Sequence, residues 1–106
     1  MAWVALFLAG VLEIVWAFSM KQSHGFTRLL PSLITIVTMI ASFTLLAASM
    51  RTLPLGTAYT IWTGIGAVGA FGVGVILLGE DLNAIRLIAA LLIVAGLVLM
   101  KTASSA

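Results

Sequence analysis

Long apolar runs separated by short polar breaks make up nearly the whole chain. Residues 2–20, 29–50 and 56–78 are such runs, and only the first contains a charged residue, Glu13. Each has the length of about 20 residues that a helix needs to cross roughly 30 Å of hydrocarbon. The first run lacks the basic start of a signal peptide. The pattern therefore predicts three membrane-spanning helices.

The fourth apolar run is shorter than the others. Residues 87–100 are uncharged, and as a helix they extend only ~21 Å at 1.5 Å per residue. A full span results if the helix begins at Leu82 and includes Arg86, whose charged head can reach the interface while its stem stays in lipid. We therefore predict a fourth helix over residues 82–100, which makes the chain a single all-α transmembrane domain.

The composition agrees with a membrane protein and excludes several kinds of chemistry. The chain is 63% hydrophobic and 8% charged, whereas about a quarter of the residues of soluble proteins carry charge. It has no cysteine, and its single histidine, His24, lies in a polar turn. We therefore predict no metal site and no cofactor. The five cations are scattered, which leaves no basic face for nucleic acid.

Short connections make successive helices antiparallel neighbours and put both chain ends on one side of the membrane. The cations on that side are Arg51 and Lys101, and those opposite are Lys21, Arg28 and Arg86. This balance gives the positive-inside rule almost nothing to act on. The chain could therefore insert in both orientations and pair as an antiparallel, dual-topology homodimer, a chain-to-chain form of an inverted repeat. A single orientation is the alternative.

Glu13 is the most unusual residue, because it lies ~16 Å along the first helix, near the centre of the bilayer. No cation of the sequence lies at that depth, and an ionised acid there costs at least ~2.5 kcal/mol. We expect it to face a bundle interior or a wet cavity, where it exchanges a proton for a cation. The alternative is a permanently protonated acid that only bonds helices together, although glutamine would do so without the insertion cost.

Helical spacing brings further candidates to the level of Glu13. The residues that share one face of their helix are Gly10, Glu13, Trp16 and Ala17 on the first helix, Thr35, Thr38, Ser42 and Ser49 on the second, and Tyr59, Trp62, Thr63 and Gly66 on the third. Counted from the side of the chain ends, Ser42 lies ~12 Å deep and Trp62 ~9 Å deep. A carboxylate, a hydroxyl, a phenol and two indoles near one level would form a cation site.

Each of these residues also has a purely structural interpretation. Trp and Tyr often form interfacial belts, which is our interpretation of Trp3, and Ser and Thr in membrane helices usually bond the backbone of their own helix. Gly64, Gly66 and Gly69 form a G-x-G-x-x-G pattern, but no strand precedes it, so dinucleotide binding is not predicted. The glycines favour close packing and bending of the helix.

Two stretches resemble the small multidrug resistance family of proton-coupled exporters. They are AGVLEIVWAFSMKQSHGFTRLLPS over residues 9–32 and LPLGTAYTIWTGIGAVGA over residues 53–70. Trp16 and the run GTAYTIWTGIG resemble the guanidinium-exporter subtype, whereas polyaromatic-cation exporters usually carry Gly at the position of Trp16. The departures, at residues 18–20 and at Ala89, lie outside the candidate site. The resemblance implies a multi-pass protein of the bacterial inner membrane that works as an antiparallel homodimer.

The resemblance also implies a role for most of the candidates. Glu13 would bind proton and substrate in turn, Trp16 and Trp62 would wall the pocket, Ser42 would hydrogen-bond the acid, and Tyr59 would take part in switching. The expected function is proton-coupled export of guanidinium or small guanidinyl cations, with no covalent step and hence no enzyme activity. Quaternary ammonium or other hydrophobic cations are the alternative substrates. A membrane scaffold or pore is the alternative outside transport.

Overall fold

The computed structural model describes residues 1–103, and within them it has four α-helices joined by short turns. The helices are α1 (Ala2–Gln22), α2 (Leu29–Ser49), α3 (Leu55–Leu78) and α4 (Ala84–Ala103). By length and composition, all four are able to cross a membrane. The predicted all-α fold with four spans is confirmed.

Helix α4 begins at Ala84, two residues later than the sequence indicated. Asn83 ends the preceding turn, because its side-chain Oδ1 accepts a hydrogen bond from the Arg86 N–H at 2.9 Å. Its carbonyl oxygen accepts the first helical bond, from the Leu87 N–H at 3.0 Å. This is the geometry of an N-cap, which fixes where a helix begins. The helix instead gains length at its other end, where it continues through Lys101 to Ala103.

The four helices form one thin layer. Helix α1 packs between α2 and α3, and the backbone of α4 lies close to α3 alone among the described helices. The Cα atoms of the described chain extend over 42 × 35 × 16 Å, so the arrangement is less than half as thick as it is long or wide. No residue of α4 within this range is buried. Both faces of the layer are therefore left to lipid or to another protein.

Close helix packing depends on small residues at the contacts with α3. A Cβ added at Gly69 would lie within 3.0 Å of the Ile14 side chain on α1. A Cβ added at Gly64 would likewise lie within 3.0 Å of the Leu97 side chain on α4. The glycines of α3 thus allow both neighbours to approach, in agreement with the packing role predicted for them.

The two ends of the described chain meet at one edge of the layer. The Lys101 ammonium near the end of α4 lies 4.3 Å from the centroid of the Trp3 ring at the start of α1. This contact agrees with the expectation that four spans bring both ends of the chain to one side of the membrane.

Candidate functional site

Glu13 lies where α1 packs against α3, with its carboxyl group beside Gly66. A Cβ added at Gly66 would come within 3.0 Å of that carboxyl group, so any larger residue at position 66 would displace it. Glu13 is partly buried, and its Oε1 is fully enclosed without a hydrogen-bond partner among the described residues. A buried oxygen of this kind is costly unless something pairs with it. Glu13 Oε1 is therefore a strong hydrogen-bond acceptor for which the described part of the protomer supplies no donor.

Ser42 is completely buried at the junction of three helices. Its hydroxyl donates to the carbonyl oxygen of Ala9 on α1 at 2.7 Å, and its oxygen accepts from Trp62 Nε1 on α3 at 3.0 Å. The hydrogen bond from Ser42 to Glu13 that the resemblance implied is not made in this structure, because the single hydroxyl proton is directed to Ala9. Ser42 instead holds the Trp62 ring in place.

The other hydroxyls of the α2 stripe behave as the structural interpretation predicted. Thr35 Oγ1 donates to the Pro31 carbonyl oxygen at 2.8 Å, and Thr38 Oγ1 to that of Ile34 at 2.6 Å. Both bonds return to the helix's own backbone four residues earlier. Ser42 differs from these threonines because its hydroxyl bonds two neighbouring helices.

Four aromatic rings form a row across α1, α2 and α3. Trp16 and Phe43 lie 6.4 Å apart between ring centroids, Phe43 and Trp62 5.7 Å, and Trp62 and Tyr59 5.6 Å. The first two contacts are edge-to-face, an arrangement that aromatic rings prefer. Tyr59 is 52% exposed and Phe43 47%, whereas Trp62 is only 7% exposed. The row thus joins a buried indole to an open surface of the layer.

Phe43 is the residue of this row that the sequence did not point to. The hydroxyls are the polar residues of the second helix, whereas Phe43 is one apolar residue among many in that span. Its position directly after Ser42 puts it at nearly the same level, which was the available signal. The indole N–H of Trp16, like Glu13 Oε1, is buried without a partner in the described part of the chain.

Gly10 lies in a helix contact and not in the aromatic row. A Cβ added there would come within 3.0 Å of the Ile65 side chain on α3. Gly10 therefore keeps α1 close to α3 one turn before Glu13. Of the predicted pocket residues, the structure brings Trp16, Tyr59 and Trp62 into the ring row, with Ser42 bonded to the Trp62 indole.

The described part of the chain has no group of three or more His, Cys, Asp and Glu side chains arranged to hold a metal ion. The residues offer an acid whose Oε1 has no partner in the described part of the chain, and a row of aromatic rings that begins about one helical turn away at Trp16, within helices that are largely apolar. Such a site suits a cation.

A protein-family model described as "Small Multidrug Resistance protein" matches residues 1–94. The chain belongs to the small multidrug resistance family. With its four spans, it is a multi-pass protein of the bacterial inner membrane and a member of a transporter family, as the sequence predicted.

Relatives of this small multidrug resistance protein match almost end to end. It is 56% identical over 101 residues to the "Guanidinium exporter" of Citrobacter freundii, a match that covers 95% of this chain and 96% of the relative. The "Guanidinium exporter" of Yersinia pestis is 54% identical over 104 residues, covering 98% and 100%. That of Escherichia coli strain K12 is 54% identical over 101 residues, covering 95% and 96%. The similarity thus includes every helix that contributes to the site.

Proposed function

We propose that this protein exports guanidinium or small guanidinyl cations in exchange for protons, with Glu13 binding each in turn. The observation that carries the proposal is the enclosed Oε1 of Glu13, which has no hydrogen-bond partner among the described residues. It lies in a membrane span, and Trp16, about one helical turn further on, begins the row of aromatic rings. The names of relatives that are 54–56% identical support the choice of cargo.

Guanidinium matches the chemistry of this site. It is planar, it donates paired N–H groups that a carboxylate accepts in a fork, and it is more weakly hydrated than an ammonium ion. Aromatic faces attract such a cation within about 6 Å of the ring centroid. Trp16 lies about one helical turn from Glu13, and the volume that it occupies favours a small, flat cargo over bulky quaternary ammonium ions.

Coupling follows from competition for one carboxyl group. A protonated Glu13 has no charge to hold the cation, and a cation on Glu13 has displaced the proton. If the site opens to only one side of the membrane at a time, each passage of a cation requires protons to pass in the opposite direction. The glycines of α3 would allow the bending that such alternating access requires.

A second, antiparallel copy would complete the site. Phe43 and Tyr59 are about half exposed in the protomer, so a partner is needed to enclose a bound ion. Two Glu13 carboxylates would then share one pocket, and because like charges repel, they would bind and release protons as a coupled pair. The nearly even distribution of cations between the two membrane sides favours insertion in both orientations.

The test is proton movement in proteoliposomes that contain the full-length protein and a pH-sensitive dye. Adding guanidinium is expected to drive protons across the membrane, and Glu13→Gln to abolish the response, since an amide can release no proton. Asp81→Asn, which removes an exposed acid outside the helices, is the matched control and keeps the response. Full exchange by Glu13→Gln would refute the mechanism. A response to tetraalkylammonium but not to guanidinium would select the alternative cargo.

A further inference from the structure

A groove on the protomer lies apart from the candidate transport site. It has a volume of about 370 Å³ and lies between α1, α3 and α4, at the edge where the two ends of the described chain meet. Its lining is almost entirely apolar: Trp3, Leu6 and Phe7 from α1, Ile61 and Ile65 from α3, and Leu97, Val98, Lys101 and Thr102 from α4. On each helix the lining covers ~6–8 Å of length, enough for several methylene groups in a row.

Lys101 is the one charged side chain among these lining residues. Its ammonium lies 4.3 Å from the centroid of the Trp3 ring. This contact orients the ammonium but brings no negative charge to it. Lys101 is exposed and lies near the C-terminal end of its helix. Lysines at the ends of membrane-spanning helices commonly reach the phosphate groups of lipids. The groove therefore combines an apolar interior with a cationic entrance at headgroup level.

No acidic side chain among residues 1–103, the part of the chain that the structure describes, is placed to neutralise Lys101. The sequence has three acids: Glu13 lies within α1, and Glu80 and Asp81 lie in the α3–α4 connection, on the opposite side of the membrane. Glu80 is in addition 3.9 Å from the Arg86 guanidinium of its own chain. The other cation on the side of Lys101 is Arg51. This edge of the layer is therefore complementary to an anion supplied from outside.

We propose that the groove binds one acyl chain of an anionic glycerophospholipid, such as phosphatidylglycerol, with the lipid phosphate on Lys101. The apolar lining suits a hydrocarbon chain, and the charge at the entrance repels the cations that the protein would transport. The competing occupant is a second antiparallel copy, whose α3–α4 connection would lie on the same side of the membrane. Arg86 pairs with Glu80 and bonds the Asp81 carbonyl oxygen within one chain, which places a cation beside both acids of that connection and so favours the lipid.

The proposal is tested by native mass spectrometry of the purified full-length protein, titrated with phosphatidylglycerol or with phosphatidylcholine of identical acyl chains. One lysine at a membrane surface favours an anionic lipid by about fivefold. The protein is therefore expected to bind phosphatidylglycerol at about fivefold lower concentration. Lys101→Gln removes that preference and leaves binding of phosphatidylcholine unchanged. Arg51→Gln, which removes the other cation on this side, keeps the preference.

A second pair of variants tests whether the acyl chain occupies the groove. Val98 lines the groove and is largely exposed, so Val98→Trp fills the space without disturbing a buried contact, and it weakens binding of both lipids by about fivefold or more. Leu91→Trp is the control, because Leu91 lies two turns deeper on the same face of α4 and outside the lining. Helix content, measured by circular dichroism, confirms that all the variants fold.

Three results would overturn the proposal. The first is equal binding of the two lipids by the unmodified protein, and the second is an undiminished preference in Lys101→Gln. The third is loss of the dimer peak with Val98→Trp while lipid binding persists, which would assign the groove to contact between copies. Because no readout involves transport, failure of this proposal would leave the proposed export function unaffected.

Discussion

At the scale of single residues, the position of Glu13 depends on the absence of a side chain at Gly66. The carboxyl group fills the space that a Cβ would need. Gly72, on the same helix, would meet nothing within 4 Å if a Cβ were added. Replacing either glycine by alanine therefore changes helix propensity equally, but only the replacement at Gly66 affects the position of the Glu13 carboxyl group.

This difference gives a matched pair of substitutions. We expect Gly66→Ala to push the Glu13 carboxyl group out of place and to lower guanidinium-driven proton flux in proteoliposomes about tenfold or more, since small displacements of binding groups have large effects on rate. Gly72→Ala is expected to retain the flux, because the new methyl group meets open space. Equal activity of the two variants would show that the acid tolerates displacement.

Candidate residues differed in how far the sequence could place them. The level of Glu13, Ser42 and Trp62 followed from helical rise alone, and the structure brings Ser42 and Trp62 into a hydrogen bond. The hydrogen bond from Ser42 to Glu13, which the resemblance implied, is not made in this structure, because the Ser42 hydroxyl donates to Ala9 instead. Helical rise gives the depth of a residue but not the rotation of its helix about the helix axis. The helix face of Gly10 was predictable, but its close approach to Ile65 was not, and its place in the substrate pocket stays a prediction.

At the scale of elements, the connection between α3 and α4 is a compact structure in its own right. Helix α3 ends at Leu78 and is capped by Gly79, whose φ of 68° is left-handed. The next N–H, of Glu80, donates to the Gly74 carbonyl oxygen at 3.0 Å. The Arg86 guanidinium lies 4.9 Å from the centroid of the Phe71 ring and bonds the Asp81 carbonyl oxygen. Arg86 therefore ties the start of α4 to the last turns of α3.

We expect Arg86→Gln to lower the free energy of unfolding by about 1 kcal/mol, since an exposed cation–π contact and an exposed ion pair each contribute about 0.5 kcal/mol. The measurement is unfolding in mixed detergent micelles, followed by circular dichroism. Arg28→Gln is the control, because Arg28 is also exposed but its side chain makes no bond in the described structure. A similar loss in both variants would indicate that only net charge matters.

Helix number and type were predictable because lipid forces every span to be long, apolar and internally hydrogen-bonded. The ends of α4 were less predictable. Hydropathy and the reach of Arg86 suggested a start at Leu82, whereas the bond from Arg86 N–H to Asn83 decides the start in the structure. An Asn before an apolar run is an N-cap signal, but charge placement carried more weight in the sequence interpretation than capping did.

At the scale of the whole molecule, the thin layer leaves most apolar side chains of α4 uncovered within the protomer. Lipid can cover such a surface, and so can a second copy. The sequence adds that the cations are nearly balanced between the two sides of the membrane. The proposal of an antiparallel pair thus rests on one structural and one electrostatic observation.

Orientation can be measured directly because the chain has no cysteine. A single Ala103→Cys substitution at the end of α4 supplies one thiol on the side of the chain ends. With a membrane-impermeant maleimide added to intact cells, we expect about half of the protein to be labelled, because the charge bias is so small. Thr102→Lys in the same background is expected to lower the labelled fraction, because an added cation favours the orientation that has the chain ends in the cytoplasm. Labelling of all or none of the protein would establish a single orientation.

The exposed ring row has a consequence for how activity depends on abundance. In this proposal two copies must meet to enclose an ion. When the surface density of chains in the bilayer is below the dissociation constant of the dimer, the number of dimers rises with the square of that density. In that range, doubling expression would quadruple the outward flux of cations, and diluting the chains in excess lipid would reduce the flux towards zero. For a cell exposed to a cation, the amount of protein made would then act as a threshold.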